Sequence, residues 1–236
     1  YEIARSLVGS EMCIRDSEME WLPRVLNSIY NQSLKPTKII LVDNSSTDGS
    51  LNYAEQSGCT VLKYDRSEFN YSYALNLGIN ATTEQEVLIL SAHCELVTDE
   101  SVLNMIEVRH AYKAAGVFGR QIPTVHSNPI DTRDLVTVFG RERIVFESYP
   151  FFHNAFSLIE RTAWEKCQFD EKHNGIEDRI WARQQALSGR KIIYEPESVV
   201  YHEHGLNQGA SIDRAHRVCD NLKVLHKDDI FSWPDF

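Results

Sequence analysis

Two short apolar runs, each breaking off into a cluster of polar residues, constrain this chain more than any other feature. Residues 38–42 (KIILV) end in Asp43-Asn44-Ser45-Ser46-Thr47-Asp48-Gly49-Ser50, and residues 86–90 (EVLIL) run straight into Ser91-Ala92-His93-Cys94-Glu95. Both runs read as strands, and the small polar residues after the first make a turn and then a helix N-cap. Helical patterns alternate with them. Trp21, Leu22, Val25, Leu26 and Ile29 recur at helical spacing until Lys35-Pro36 stops the helix. Further helices are expected over 51–56 and 71–79, with a strand near 59–64 between them. Such alternation predicts an α/β fold with a mixed, mostly parallel central sheet flanked by helices. Ligands of open α/β sheets lie outside the carboxyl ends of the strands, so two polar strand ends predict a shared crevice.

The second half is less regular. A helix over 101–113, a short strand over 116–119 and a Pro- and Asp-rich loop over 123–134 come first. Residues 151–159 (FFHNAFSLI) then read as a buried strand interrupted by His153 and Asn154. Glu177-Asp178 open an amphipathic helix reaching about residue 187, closed by Gly189. A strand pair over 191–194 and 198–201 leads to His202-Glu203-His204-Gly205, and 210–226 reads as a helical tail. Trp21, Trp164 and Trp181 are expected in the core or at an interface. With neither repeat nor linker visible, residues 18–236 are expected to form one domain. Residues 1–17 (YEIARSLVGSEMCIRDS) stand apart, with no helical or strand period. The string is similar to translated sequencing-adaptor read-through, and it is expected to be a non-native segment replacing a first strand.

Composition removes several classes. A chain of 236 residues, 42% of them apolar, suffices for one large core. Its net charge of -10, without basic clustering, argues against nucleic acid as a partner. No run approaches the roughly 18 apolar residues of a membrane span, and no secretory leader is visible. Cys13, Cys59, Cys94, Cys167 and Cys219 form no CxxC pair, which suggests neither a disulfide framework nor a thiolate zinc site. A reducing cytoplasm is the expected compartment. A dinucleotide-binding reading is disfavoured because no GxGxxG follows a strand.

Six segments in order carry a family resemblance: SIYNQSLKPTKIILVDNSSTDGS, FNYSYALNLGIN, LILSAHCEL, FFHNAFSLIERTAW with its following FDE, GIEDRIWARQQALSGRKIIYEP, and VVYHEHG. Over about residues 18–209 the chain resembles the family-2, inverting glycosyltransferases of the GT-A fold. It is most similar to rhamnosyltransferase-like members acting on bacterial surface polysaccharides. The resemblance implies a nucleotide-binding half over 18–120 and an acceptor and catalytic half over 121–236. It also implies transfer of a sugar from a nucleotide-diphosphate sugar to a saccharide or lipid-linked acceptor, with inversion. A lipid-linked acceptor would leave peripheral association with the inner face of the cell membrane open. The competing expectation is a catalytically silent nucleotide-sugar-binding member of the same fold.

The resemblance also assigns roles. Asp43, an acceptor-only carboxylate at a strand end, suits a base N–H or a ribose hydroxyl, although it could instead cap the next helix. Asn76 faces the same nucleoside or packs in its helix. Departure of a diphosphate calls for a divalent metal, Mn²⁺ or Mg²⁺. The family usually supplies Asp-x-Asp, where this chain has Ser91-Ala92-His93. His93 remains a competent ligand, Ser91 a contact to ribose or metal-bound water, and Glu95 or Asp99 a source of charge. His202 is the implied partner of His93, and His204, two residues on and so on the same side of a strand, reaches the ion or a phosphate. A buried or surface histidine without a ligand is the plain alternative for each. Asp178 is implied as the base that takes the acceptor's proton, with Glu177 orienting hydroxyls; acidic residues also favour the first turn of any helix. His153 and Asn154 stand where the family contacts donor sugar or acceptor, or are a buried polar pair satisfied by backbone, and Arg120 pairs with a phosphate, caps a helix or makes a surface salt bridge.

Overall fold

The computed structural model describes residues 5–10, 19–65, 70–173 and 175–203, and of 5–10 the backbone alone. Its elements in order are β1 (Arg5–Ser10), α1 (Leu22–Tyr30), β2 (Lys38–Asp43), α2 (Ser50–Gln56), β3 (Thr60–Lys63), α3 (Tyr71–Asn80), β4 (Glu86–Leu90), β5 (Cys94–Leu96), α4 (Ser101–Tyr112), β6 (Gly116–Ile122), α5 (Pro129–Val138), β7 (Ile144–Phe146), β8 (Phe156–Glu160), α6 (Arg161–Lys166), α7 (Glu177–Leu187) and β9 (Ile192–His202). One sheet runs in the order β3-β2-β1-β4-β8-β6-β9-β5, with β7 also on β9. The pairs β2–β3, β1–β2, β1–β4 and β6–β9 are parallel, while β8 is antiparallel to β4 and β6, and β5 and β7 to β9. The carboxyl ends of β2, β4, β6 and β9 therefore share one edge of the sheet with the amino end of β8.

Both faces of the sheet are covered, which is why its central strands read as unbroken apolar runs. Alternate residues go to opposite faces. Leu88 and Leu90 join Leu22, Val25, Leu26 and Ile29 of α1 and Val102, Met105 and Ile106 of α4. Val87 and Ile89 join Leu75 and Ile79 of α3, Trp164 of α6 and Trp181 of α7. Trp21, Trp164 and Trp181 are buried. One close approach is diagnostic: a Cβ on Gly119 would lie 2.3 Å from the Phe156 ring and 2.7 Å from the Ser198 carbonyl oxygen. Only glycine fits there, and the β6–β9 register shifts at the same point, between Gly119 and Arg120.

Several expectations change. The segment before residue 19 contributes β1, whose backbone fills the slot between β2 and β4. Such a slot offers unpaired N–H and C=O groups on both sides, which any extended backbone satisfies. The loop expected over 123–134 contains α5, started by the Asn128 side chain accepting from Ile130 and Asp131 N–H with Pro129 at the first helical position. The strand expected over 151–159 begins only at Phe156, leaving His153 and Asn154 in the loop before it. The expected strand pair near the end is one strand, β9, bulged around Pro196. Helix 210–226 lies outside the described residues.

Candidate active site

Polar groups at the two ends of the sheet are treated differently. At the amino end of β4, Glu86 pairs with Arg109 and His110, and Glu160 pairs with Arg190. At the carboxyl edge, Asp43 Oδ1, Arg120 Nε and Asn154 Nδ2 are buried without a hydrogen-bond partner among the described residues. A buried polar atom left unpaired costs about 1–3 kcal/mol, so three on one edge among the described residues make that edge the candidate ligand site.

Asp43 ends β2 fully buried. Its Oδ2 accepts from Ser46 N–H at 3.0 Å, closing a local turn, which leaves Oδ1 turned to the edge. Asp43 does not reach α2, whose N-cap position is Gly49; Asp48 Oδ1 instead accepts from the N–H and hydroxyl of Ser50, the first residue of that helix. Burial alone would raise the Asp48 carboxyl, but these bonds and one from Met19 N–H outweigh it and hold the group below its usual range. Asn76 behaves as the packing alternative has it. Its Nδ2 donates to Phe169 O and Glu171 Oε1, and its Oδ1 accepts from Trp164 Nε1 and Phe169 N–H. That fills its capacity and leaves nothing to offer a nucleoside.

Beyond β4 the chain makes a turn in which Cys94 N–H donates to Ser91 O at 2.9 Å, and β5 then pairs antiparallel with β9, Cys94 opposite His202. This register carries His93 beside His202. Their Nε2 atoms stand 3.1 Å apart, the rings stacked with centroids 5.0 Å apart, and both residues are almost wholly buried. Around an octahedral ion with bonds of about 2.1 Å, adjacent ligand atoms are about 3.0 Å apart, so the pair is spaced to share one cation. Cys94 is the third member of this cluster, with all its ligand atoms within 4.8 Å of one another. Its side chain belongs to the apolar core, and the sequence marks it only as the residue that follows His93, not as a ligand. Glu95 turns away to pair with Arg24. His204 lies outside the described residues.

The imidazole pair continues into the loop before β8. His202 Nδ1 meets Gln121 Oε1 at 2.7 Å, and Gln121 Nε2 meets His153 Nδ1 at 2.9 Å. The next residue, Asn154, donates its N–H to Asp178 Oδ2 at 3.3 Å, while its Oδ1 accepts from the Ser157 hydroxyl. Glu177 and Asp178 occupy the first turn of α7, both buried, with Glu177 Oε2 accepting from Gly175 N–H at 2.8 Å. A continuous set of contacts thus joins the imidazole pair to the carboxylate expected to act as base. Gln121, buried at 1% exposure, is a member that the sequence did not disclose, because a lone glutamine on a strand carries no motif.

Residues 16–167 match the profile of "Glycosyl transferase family 2". The chain is 25% identical over 194 residues, 77% of its length, to the O-antigen chain rhamnosyltransferase RfbN of Salmonella typhimurium. It is 24% identical over 196 residues, 78% of its length, to the O-antigen chain rhamnosyltransferase WbaN of Salmonella anatum. The matches span 62% and 61% of these relatives, so the chain covers about three fifths of their length. Among solved structures, it superposes with a TM-score of 0.61 on the mannosyltransferase PcManGT from Pyrobaculum calidifontis in complex with GDP-Man and Mn²⁺, at 19% identity, covering 84% of this chain and 56% of that one. With S. aureus TarS in complex with UDP-GlcNAc the TM-score is 0.66 at 12% identity, covering 96% and 68%. These likenesses give the fold, GT-A.

Proposed function

The chain belongs to glycosyl transferase family 2, and from that membership we propose that it transfers a sugar, with inversion, from a nucleoside-diphosphate donor to a saccharide or lipid-linked acceptor of a bacterial surface polysaccharide. Its likeness to two O-antigen rhamnosyltransferases supports rhamnose as the sugar. The observation that carries this reading is the meeting, on one sheet edge, of the His93–His202 pair with the loop that contacts Asp178.

Each group has a task. Asp43 Oδ1 accepts from the nucleoside, and Arg120 Nε donates to the diphosphate, as does His204. His93 and His202 hold the cation, and their nitrogen ligation suits Mn²⁺ better than Mg²⁺, which prefers an all-oxygen shell. When bound, the ion neutralises charge on the departing diphosphate. His153 and Asn154 position sugar or acceptor hydroxyls, Ser91 a ribose hydroxyl, and Glu177 steadies the turn that opens α7. As the acceptor oxygen bonds to the anomeric carbon and the bond to the diphosphate oxygen breaks, Asp178 takes the hydroxyl proton. Binding from the face opposite the leaving group produces inversion.

A site that keeps both the carboxylate and the imidazole pair gives no support to the silent alternative. The reading extends to place: a cytoplasmic protein, at the membrane where its acceptor is lipid-linked; no described helix is long and apolar enough to cross a membrane. It also takes residues 1–17 as a non-native string in the slot of a native first strand, so restoring a native strand should strengthen donor binding. The test is a panel of nucleotide sugars with and without Mn²⁺: metal-dependent release of nucleoside diphosphate from one donor supports the reading, and no binding of any donor sinks it.

A further inference from the structure

We propose that Gln121 is a positioning residue for the cation site: its side-chain amide holds His202 in the tautomer that directs the Nε2 lone pair at the ion. This role presupposes the reading of His93 and His202 as metal ligands and adds to it a residue that touches neither metal nor substrate.

Three contacts fix the protons. Ala155 backbone N–H, which can only donate, points at His153 Nδ1 at 3.4 Å. His153 Nδ1 is therefore an acceptor, and the Gln121 atom 2.9 Å from it is the donating NH₂ group. That orients the amide, so its other end, 2.7 Å from His202 Nδ1, is the carbonyl oxygen, which can only accept. His202 then carries a proton on Nδ1, and in the neutral ring, the form that binds a metal, Nε2 is the lone pair, 3.1 Å from His93 Nε2. The opposite tautomer would bring the Gln121 oxygen against a lone pair on Nδ1 and place a proton where the ion binds. Gln121 is buried on β6, between β8 and β9, with its amide spanning the imidazoles of His202 and His153, so it has no water to turn towards. Histidine ligands depend on such partners for ring orientation and basicity, and losing one usually costs 10- to 100-fold in metal affinity.

The experiment titrates Mn²⁺ into the metal-free protein by electron paramagnetic resonance and reads the His202 tautomer from its imidazole ¹⁵N shifts. Gln121→Met keeps the volume and removes the acceptor; Gln121→Glu keeps an acceptor for Nδ1–H and removes the donor to His153. Expected are an Nδ1–H tautomer in the wild type, a loss of about 10- to 100-fold in Mn²⁺ affinity in Gln121→Met, and wild-type affinity or better in Gln121→Glu. An Nε2–H tautomer for His202 in the wild type overturns the proposal without any variant. So does unchanged affinity in Gln121→Met when His93→Ala and His202→Ala have both lost the ion. If the wild type binds no Mn²⁺, the cation reading itself fails and this proposal with it.

Discussion

The Nε2 atoms of His93 and His202 lie 3.1 Å apart across a sequence separation of 109 residues, because β5 folds back onto β9 with Cys94 opposite His202. Two buried imidazoles this close must share one proton or one cation. His93→Ala and His202→Ala are each expected to weaken Mn²⁺ binding by more than about 10-fold, since half of the nitrogen ligation is lost. Calorimetric titration checks this, with Mg²⁺ expected to bind the wild type more weakly than Mn²⁺. Equal affinity in the single variants would place the ion elsewhere.

Asp178→Asn should separate chemistry from binding. The amide keeps the size of the side chain, and its one oxygen can accept from Asn154 N–H or from Arg179 N–H, which the two carboxylate oxygens now bond separately, but it cannot take a proton. Turnover is expected to fall about 10²- to 10⁴-fold with donor affinity within a few-fold of wild type. Steady-state kinetics alongside donor titration would show the split, and a parallel loss of both would make Asp178 a structural residue.

Asp43, the last residue of β2, and Asp48, just after it, offer an internal comparison. Asp48 holds the start of α2, whereas Asp43 Oδ1 has no partner among the described residues. Asp43→Asn, which keeps one side-chain oxygen for the Ser46 turn, should lower nucleoside-diphosphate affinity about 10-fold and leave the melting temperature nearly unchanged. Asp48→Ala should do the reverse, costing about 1 kcal/mol of stability through the lost bonds to Ser50 and Met19. Differential scanning calorimetry and nucleotide titration on both variants decide it.

Two substitutions should cost stability without touching the site's chemistry. Asn76→Ala leaves Trp164 Nε1 and Phe169 N–H buried without their acceptor, an expected loss of about 2–4 kcal/mol. Gly119→Ala forces a methyl group into the Phe156 ring, an expected loss of about 1–3 kcal/mol. Urea unfolding curves measure both.

Much of this was legible in the sequence where local chemistry decides the outcome. The run 86–90 became β4 and Glu177 opened α7, because apolar runs and acidic first turns are signals that packing reinforces. The carboxyl edge followed from strands ending in Asp43 and Ser91. What escaped depends on contacts distant in sequence. Asn76 looks like a nucleoside contact until Phe169 and Trp164 close around it, and Gln121 looks like nothing until His202 and His153 arrive on either side. Helix α5 was missed for a nearer reason: Asn128-Pro129 is a helix start, hidden in a stretch whose other residues read as loop.

The most direct test of a metal-assisted transfer by this chain is acceptor-dependent release of nucleoside diphosphate from nucleotide-activated rhamnose, with GDP-mannose and UDP-GlcNAc as comparison donors, measured for wild type and Asp178→Asn with Mn²⁺ and after chelation. The expected result is turnover of one donor by wild type with Mn²⁺, lost on chelation and restored by adding the ion back, and nearly absent in Asp178→Asn. Turnover that survives chelation, or that Asp178→Asn retains, would contradict it.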